Sequence, residues 1–259
     1  MRASTPPLAG RGIVITRPVS QAAGLESLIA QNGGRPILLP TIEILEVEDR
    51  SALDAVVDRL DSYDLAIFIS PSAVAKGWDA IRARRSFPLQ LKVAAVGGGS
   101  AAALEALGID RVIAPEEGAD SESLLRLPQL QGVAGQRIVI FRGSGGREFL
   151  RDTLISRGAS VDYAECYRRA RPSIDVAKLL QSWRAGDIDG VVVTSSEGLR
   201  NLHDLLGTAG RECLERTPLF VPHARIAAIA KELGLTDVVI TASGDHGIAA
   251  SIIDRLGAR

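Results

Sequence analysis

Six short stretches of this 259-residue sequence gather hydroxyl, glycine and cationic residues. They are Thr16-Arg17-Pro18, Ser70-Pro71-Ser72, Gly97-Gly98-Gly99-Ser100, Arg142-Gly143-Ser144-Gly145-Gly146-Arg147, Thr194-Ser195-Ser196 and His223-Ala224-Arg225. No comparable stretch presents a carboxylate until Asp245. The chemistry they suit is anion binding. Free backbone N–H groups at helix starts favour carboxylates and phosphates, arginine adds bidentate contacts, and glycine lets a ligand approach the backbone. The candidate binding residues are Arg17, Ser70, Ser72, Gly97, Ser100, Arg142, Arg147, Thr194, Ser195, Ser196, His223 and Arg225. Ser and Thr also serve as helix N-caps, and each arginine equally suits a surface ion pair. Capping alone leaves the scarcity of acids unexplained, because Asp caps as well as Ser.

Other chemistries lack their motifs. The glycine run Gly143–Gly146 is not a dinucleotide fingerprint, since Glu148 stands where the third glycine belongs. No Gly-Lys-Ser/Thr follows any glycine run, so there is no phosphate-binding P-loop. His203, His223 and His246 have no metal-ligand spacing, and His203 reads as a surface residue of a helix. Ser195 and Ser196 are not set in the Gly-x-Ser-x-Gly turn of a hydrolase nucleophile. No metal and no cofactor is implied.

The elements that must position these stretches are legible in the apolar pattern. Ile13-Val14-Ile15, Leu65–Ile69, Val93–Val96, Ile138–Phe141, Val191-Val192-Val193 and Val238-Val239-Ile240 are continuous apolar runs. Strands buried on both faces of a parallel sheet read this way. Amphipathic stretches alternate with them: Gln21 to Gln31, Gly146 to Arg157, Ala224 to Leu233 and Gly247 to Leu256. Strand–helix alternation predicts a doubly wound α/β fold. In such sheets ligands bind beyond the carboxyl ends of the strands, where the six stretches fall.

The two halves also repeat. At an offset of 125 residues Gly10/Gly135, Ile13/Ile138, Arg17/Arg142, Leu25/Leu150, Gly33/Gly158 and Ser70/Ser195 are identical; at 126, Gly108/Gly234 and Gly118/Gly244 are. The pattern predicts two flavodoxin-like units of five strands each from an internal duplication. It leaves strand sharing open. Two contiguous domains would part near Pro128–Gly132; alternatively the first strand and helix join the sheet of the second half.

Composition narrows the function classes. Net charge is −1, from 30 basic and 31 acidic residues, and aromatics are 4%, which argues against a nucleic-acid binder. No apolar run approaches the roughly 18–20 residues that cross a bilayer, and Met1–Arg11 lacks the apolar core of a secretory signal. Cys166 and Cys213 match no redox or metal spacing, so a reducing, cytoplasmic setting is expected. The first ten residues read as a mobile tail.

The motifs together resemble the uroporphyrinogen-III synthase family from about Gly12 to Leu256. Ile15-Thr16-Arg17-Pro18 with Gln21, Phe68 to Val74, and Val96 to Ala101 carry the resemblance in the first half. Arg142-Gly143 through Gly146-Arg147, Cys166-Tyr167-Arg168-Arg169, Thr194 to Leu199 and His223 to Ala227 carry it in the second. Ser100 stands where the family often has Thr, and Ala224 where its bacterial members often have Pro. The resemblance implies two α/β domains, 1–36 with 171–259 and 46–163, joined by a two-stranded antiparallel linker of 37–45 and 164–170. A substrate cleft would lie between them.

It also implies an activity, cyclisation of hydroxymethylbilane to uroporphyrinogen III with inversion of ring D. That linear tetrapyrrole, with eight carboxylates, would be the small-molecule substrate. The resemblance further implies a cytoplasmic monomer in transient contact with hydroxymethylbilane synthase, with no nucleic-acid or membrane partner. Tyr167 would be the catalytic residue, its phenol donating a proton to the leaving hydroxyl. A ladder aromatic packed across strands is the other reading of Tyr167. A non-catalytic two-domain anion sensor is the alternative function. A pair of response-regulator receiver domains would need clustered acids at strand ends, where this sequence has Ser, Thr, Gly and Arg.

Overall fold

A computed structural model describes residues 5–116, 118 and 120–257. In chain order the elements are β1 (Gly12–Ile15), α1 (Ala23–Gln31), β2 (Arg35–Leu38), β3 (Glu43–Leu45), α2 (Ser51–Asp58), β4 (Leu65–Phe68), α3 (Pro71–Arg82) and β5 (Lys92–Ala95). Then come α4 (Gly98–Glu105), β6 (Val112–Ile113), α5 (Ser121–Arg126), α6 (Pro128–Gln131), β7 (Arg137–Gly143), α7 (Phe149–Ser156) and β8 (Ser160–Ala170). The chain closes with α8 (Val176–Arg184), β9 (Gly190–Val192), α9 (Ser196–Glu215), β10 (Leu219–Val221), α10 (Ala224–Glu232), β11 (Val238–Ile240) and α11 (Gly244–Leu256). The chain falls into two compact units: residues up to Glu43 together with those from Ala170 onward, and Ile44–Arg169.

The first unit holds a five-stranded sheet of order β11-β10-β9-β1-β2, parallel at every pairing. Its central strands β1, β9 and β10 bury both faces, while the edge strands β2 and β11 leave Leu38 and Ile240 exposed. Ile13, Ile15 and Val192 point to one side, packing with Leu25 and Ile29 of α1 and Ile248 and Ile252 of α11. Val14, Val191 and Val193 point to the other, against α8, α9 and α10 through Trp183, Leu199, Leu202 and Ile226. This period-2 alternation with helices on both sides is why the strands read as unbroken apolar runs. Each buried Val, Leu or Ile contributes roughly 1.5–3 kcal/mol.

The second unit repeats the plan. Its sheet order is β3-β8-β7-β4-β5-β6, with β8-β7-β4-β5-β6 parallel throughout. Phe68 and Phe141 stack face to face at 4.5 Å on the side covered by α2, α3 and α4. Ile67, Ile138 and Ile140 face α5, α6 and α7 through Leu124, Leu130, Leu150 and Leu154. Gly33 after α1 and Gly158 after α7 both take positive φ, +82° and +87°, the left-handed turn that ends a helix and that glycine adopts without strain.

Residues 37–45 divide between two strands, with Ile37 and Leu38 in β2 and residues 43–45 in β3 beside β8. Pro40, without an N–H to donate, lies in the gap. The expectation of a ten-residue tail needs correcting. Met1–Ser4 lie outside the described residues, but Leu8 is fully buried beside Leu25 and Ile29, and its N–H bonds to the Asn32 carbonyl at 2.9 Å. Among the described residues no helix is long and apolar enough to cross a membrane.

Candidate functional site

Ser70, Gly97, Ser195 and His223 stand past strand ends because each caps the helix that follows its strand, whereas Arg17 and Arg147 lie in the connecting loops and Arg142 near the end of β7. In the second unit Ser70, two residues past the end of β4, adopts extended backbone and caps α3, its Oγ accepting from the Ala73 N–H at 3.1 Å. Pro71 occupies the first helical position, where its missing donor costs nothing. Ser72 and Ser100 are buried, at 6% and 4% exposure. Gly97 caps α4, and Gly98 and Gly99 of its first turn are exposed.

Tyr167, on β8, is only 1% exposed and packs into the core with Phe68 and Phe141. Its hydroxyl lies 3.0 Å from Ser70 Oγ and accepts from Arg169 Nη2 at 3.2 Å, which draws it to the start of α3. The ring is thus part of the core, and the hydroxyl is held at the carboxyl edge of the sheet by Ser70 and Arg169.

Arg142 is taken up by its own loop. Its guanidinium donates to the Gly143 carbonyl at 3.2 Å, to the Gly145 carbonyl and to Glu148 at 3.1 Å. It also lies 4.3 Å from the centre of the Tyr163 ring. Tyr163 donates to Glu148 at 2.6 Å. Burial and this hydrogen bond push the Tyr163 phenol up to about 12, while the same bond, with Arg142 adding, holds Glu148 below the ordinary carboxylate value. Arg147 instead points outward and grips Glu122 through two nitrogens, at 2.7 and 3.2 Å, which lowers the Glu122 pKa.

In the first unit Ser195 mirrors Ser70, capping α9 by accepting from Gly198 N–H at 3.0 Å. Thr194 is half-buried, and the Ser196 hydroxyl oxygen is buried with no hydrogen-bond partner among the described residues. His223 is the half-buried N-cap residue of α10, and Arg225 is exposed on its first turn. Arg17 ion-pairs with Asp245 at the start of α11. The strand-end carboxylate noticed in the sequence is thus a partner of the nearest cation.

Sequence reasoning missed Glu122, Glu148 and Tyr163, whose signal lies in long-range partnership rather than in spacing. It also placed His203 on the surface. That residue is half-buried, and burial, with Arg211 adding, holds its imidazole below the ordinary value. A depression of about 520 Å3 beside β8 is lined by Glu48, Asp49, Glu165, Tyr163 and Arg168. Its three carboxylates make it a poor seat for an anion. Among the described residues no group of three or more His, Cys, Asp or Glu is gathered to hold a metal ion.

Comparison with known proteins adds to this geometry. The family model described as uroporphyrinogen-III synthase HemD matches residues 23–245. The uroporphyrinogen-III synthase of Escherichia coli is 34% identical over 90% of this chain and 96% of that protein. Its counterpart in Salmonella typhimurium is 35% identical with the same coverage. In fold, the chain is similar to a crystal structure of a mutant uroporphyrinogen III synthase from Thermus thermophilus, with a TM-score of 0.60, 17% identity, and 95% and 97% of the two chains covered.

Proposed function

The chain belongs to the uroporphyrinogen-III synthase family, and we propose that it is a cyclising lyase that closes hydroxymethylbilane to uroporphyrinogen III in tetrapyrrole biosynthesis. The observation that carries this reading is 34% identity to a synthase over 90% of the chain. A non-catalytic anion sensor has no observation in its favour.

The chemistry proceeds on the substrate. Loss of the terminal hydroxyl as water gives an electrophilic azafulvene. The far ring attacks it through its substituted α-carbon, forming a spiro centre that fragments and recloses with that ring inverted. The protein's part is orientation: the two ends of the bilane are already tethered in one chain, and they must be held so that the substituted α-carbon attacks. Hydroxyls and first-turn amides at Ser70, Gly97, Ser100, Thr194, Ser195 and Ser196 hold acetate and propionate groups, with Ser72 and His223 lining the same ends. Arg17, Arg147 and Arg225 supply charge, and Arg142 fixes the loop that carries Arg147. Tyr167 is the proton donor to the departing hydroxyl. Its contact with Ser70 at 3.0 Å supports this role by bringing the phenol to the strand ends.

Two flavodoxin-like units from an internal duplication are part of the same reading. In each, taking strands in repeat order, the arrangement is 2-1-3-4-5, and the paired glycines Gly10/Gly135 and Gly33/Gly158 share positive φ. The second unit adds β3 at its edge. The protein works as a monomer supplied by hydroxymethylbilane synthase. The test is a time course with freshly generated hydroxymethylbilane: purified protein consumes it well above the spontaneous rate. Consumption at the spontaneous rate by folded protein would refute the proposal.

A further inference from the structure

Two ion pairs occupy equivalent places in the two units. In the first, Arg17, following β1, meets Asp245 in the first turn of α11, which packs beside α1. In the second, Arg147, following β7, meets Glu122 in the first turn of α5, which packs beside α7. Each pair ties the loop after one strand to the start of a neighbouring helix, across the carboxyl end of a sheet. The pairs are not inherited residue for residue. By the repeat, Arg17 aligns with Arg142 rather than Arg147, and Glu122 aligns with Ile248 rather than Asp245. The same acid–base contact has been built twice from different positions.

The first pair is also sterically provided for. A Cβ on Gly24 of α1 would lie 2.3 Å from Asp245 Oδ2, so this helical glycine keeps open the space the carboxylate occupies. Glycine inside a helix is otherwise unfavourable.

We propose that Asp245 and Glu122 are exchangeable latches: internal carboxylates that hold Arg17 and Arg147 and must be displaced by carboxylates of the substrate. The inference rests on the synthase reading, in which substrate and product are both polycarboxylates. Carboxylates of the protein and ligand compete for the same guanidiniums. The latches therefore lower affinity for both and return the arginines when product leaves. An arginine free for only a fraction of the time lowers apparent affinity by that fraction.

The test compares wild type with Glu122→Gln, Asp245→Asn and Gly24→Ala, by KM and kcat for hydroxymethylbilane and by fluorescence titration with uroporphyrin III. Gly24→Ala keeps the charge of Asp245 but pushes its carboxylate off Arg17, which separates latch release from a general change in potential. The expected result for each variant is a fall in KM and in the uroporphyrin Kd of about threefold to tenfold, with kcat not raised. Unchanged or higher KM in the folded variants overturns the latch, and so does a fall in Asp245→Asn that Gly24→Ala does not share. The wild-type control separates the two ideas: without turnover in wild type it is the synthase reading that fails.

Discussion

Arg17 and Arg142 stand at matching positions of the sequence repeat, each at the carboxyl end of a sheet, and they are used in opposite ways. The Arg142 side chain is 4% exposed and spends its donors on two carbonyls of its own loop and on Glu148, with the Tyr163 ring against its plane. Arg17, at 12% exposure, reaches one carbonyl of its loop, that of Gln21, only at 3.5 Å and is opposed chiefly by the more open Asp245. A cation bound by the backbone it shapes cannot turn to a ligand without undoing the loop. A cation opposed by a carboxylate can exchange it for another. Residue type at a strand end thus selects candidates, and the partners decide which of them are free to bind.

Matched alanine substitutions give the largest test of this contrast. Arg142→Ala should lower the free energy of unfolding by about 2–3 kcal/mol, because charge-assisted hydrogen bonds to the loop are lost. Arg17→Ala should cost about 1 kcal/mol or less and act chiefly by raising KM. Urea unfolding and steady-state kinetics on both variants measure the two effects, and equal stability losses would break the comparison. Lysine at 142 should recover little, since it lacks the planar fork that spans two carbonyls and a carboxylate.

Tyr167→Phe comes next. It should reduce kcat at least several-fold while the thermal midpoint moves by only a few degrees, because the ring's packing is kept. Unchanged kcat would remove Tyr167 from the chemistry and leave it as core alone.

A smaller effect concerns pH. The Tyr163 phenol is raised to about 12 in the folded protein, above its unfolded value near 10. Its contribution is therefore complete below pH 10 and lost as pH climbs through 12. The alkaline fall in stability should shrink in Tyr163→Phe, and an identical pH profile would show that the Glu148–Tyr163–Arg142 cluster contributes no linkage.

The smallest effect is on thiol reactivity. Burial pushes the Cys166 thiol up to about 12, whereas Cys213 is half-buried; both are free. Iodoacetamide at pH 8 should label Cys213 first and spare Cys166 until the protein is denatured.

Much of the α/β layering was readable. Val14 and Ile13 sit in different cores, so their run had to be apolar throughout, and continuous apolar runs are what such strands require. The capping serines Ser70 and Ser195 were visible as hydroxyls before helical patterns. What was not readable depends on distance along the chain. Arg17 and Asp245 are separated by 228 positions, and nothing local marks one as the other's partner. The burial of Tyr167 comes from a core it shares with Phe68 and Phe141, far from it in sequence, and the burial of Leu8 from helices formed by residues far apart in sequence. Local pattern gives period and capping, whereas partnership is a property of the packed chain.

The central claim is best tested by the isomer of the product. Wild-type protein would be given fresh hydroxymethylbilane without added metal or nucleotide, and the oxidised products separated as type I and type III porphyrins. Uncatalysed closure gives type I, without inversion. Orientation of the bilane at these strand ends predicts predominantly type III. Type I alone, formed at the spontaneous rate in the presence of folded protein, would contradict the account.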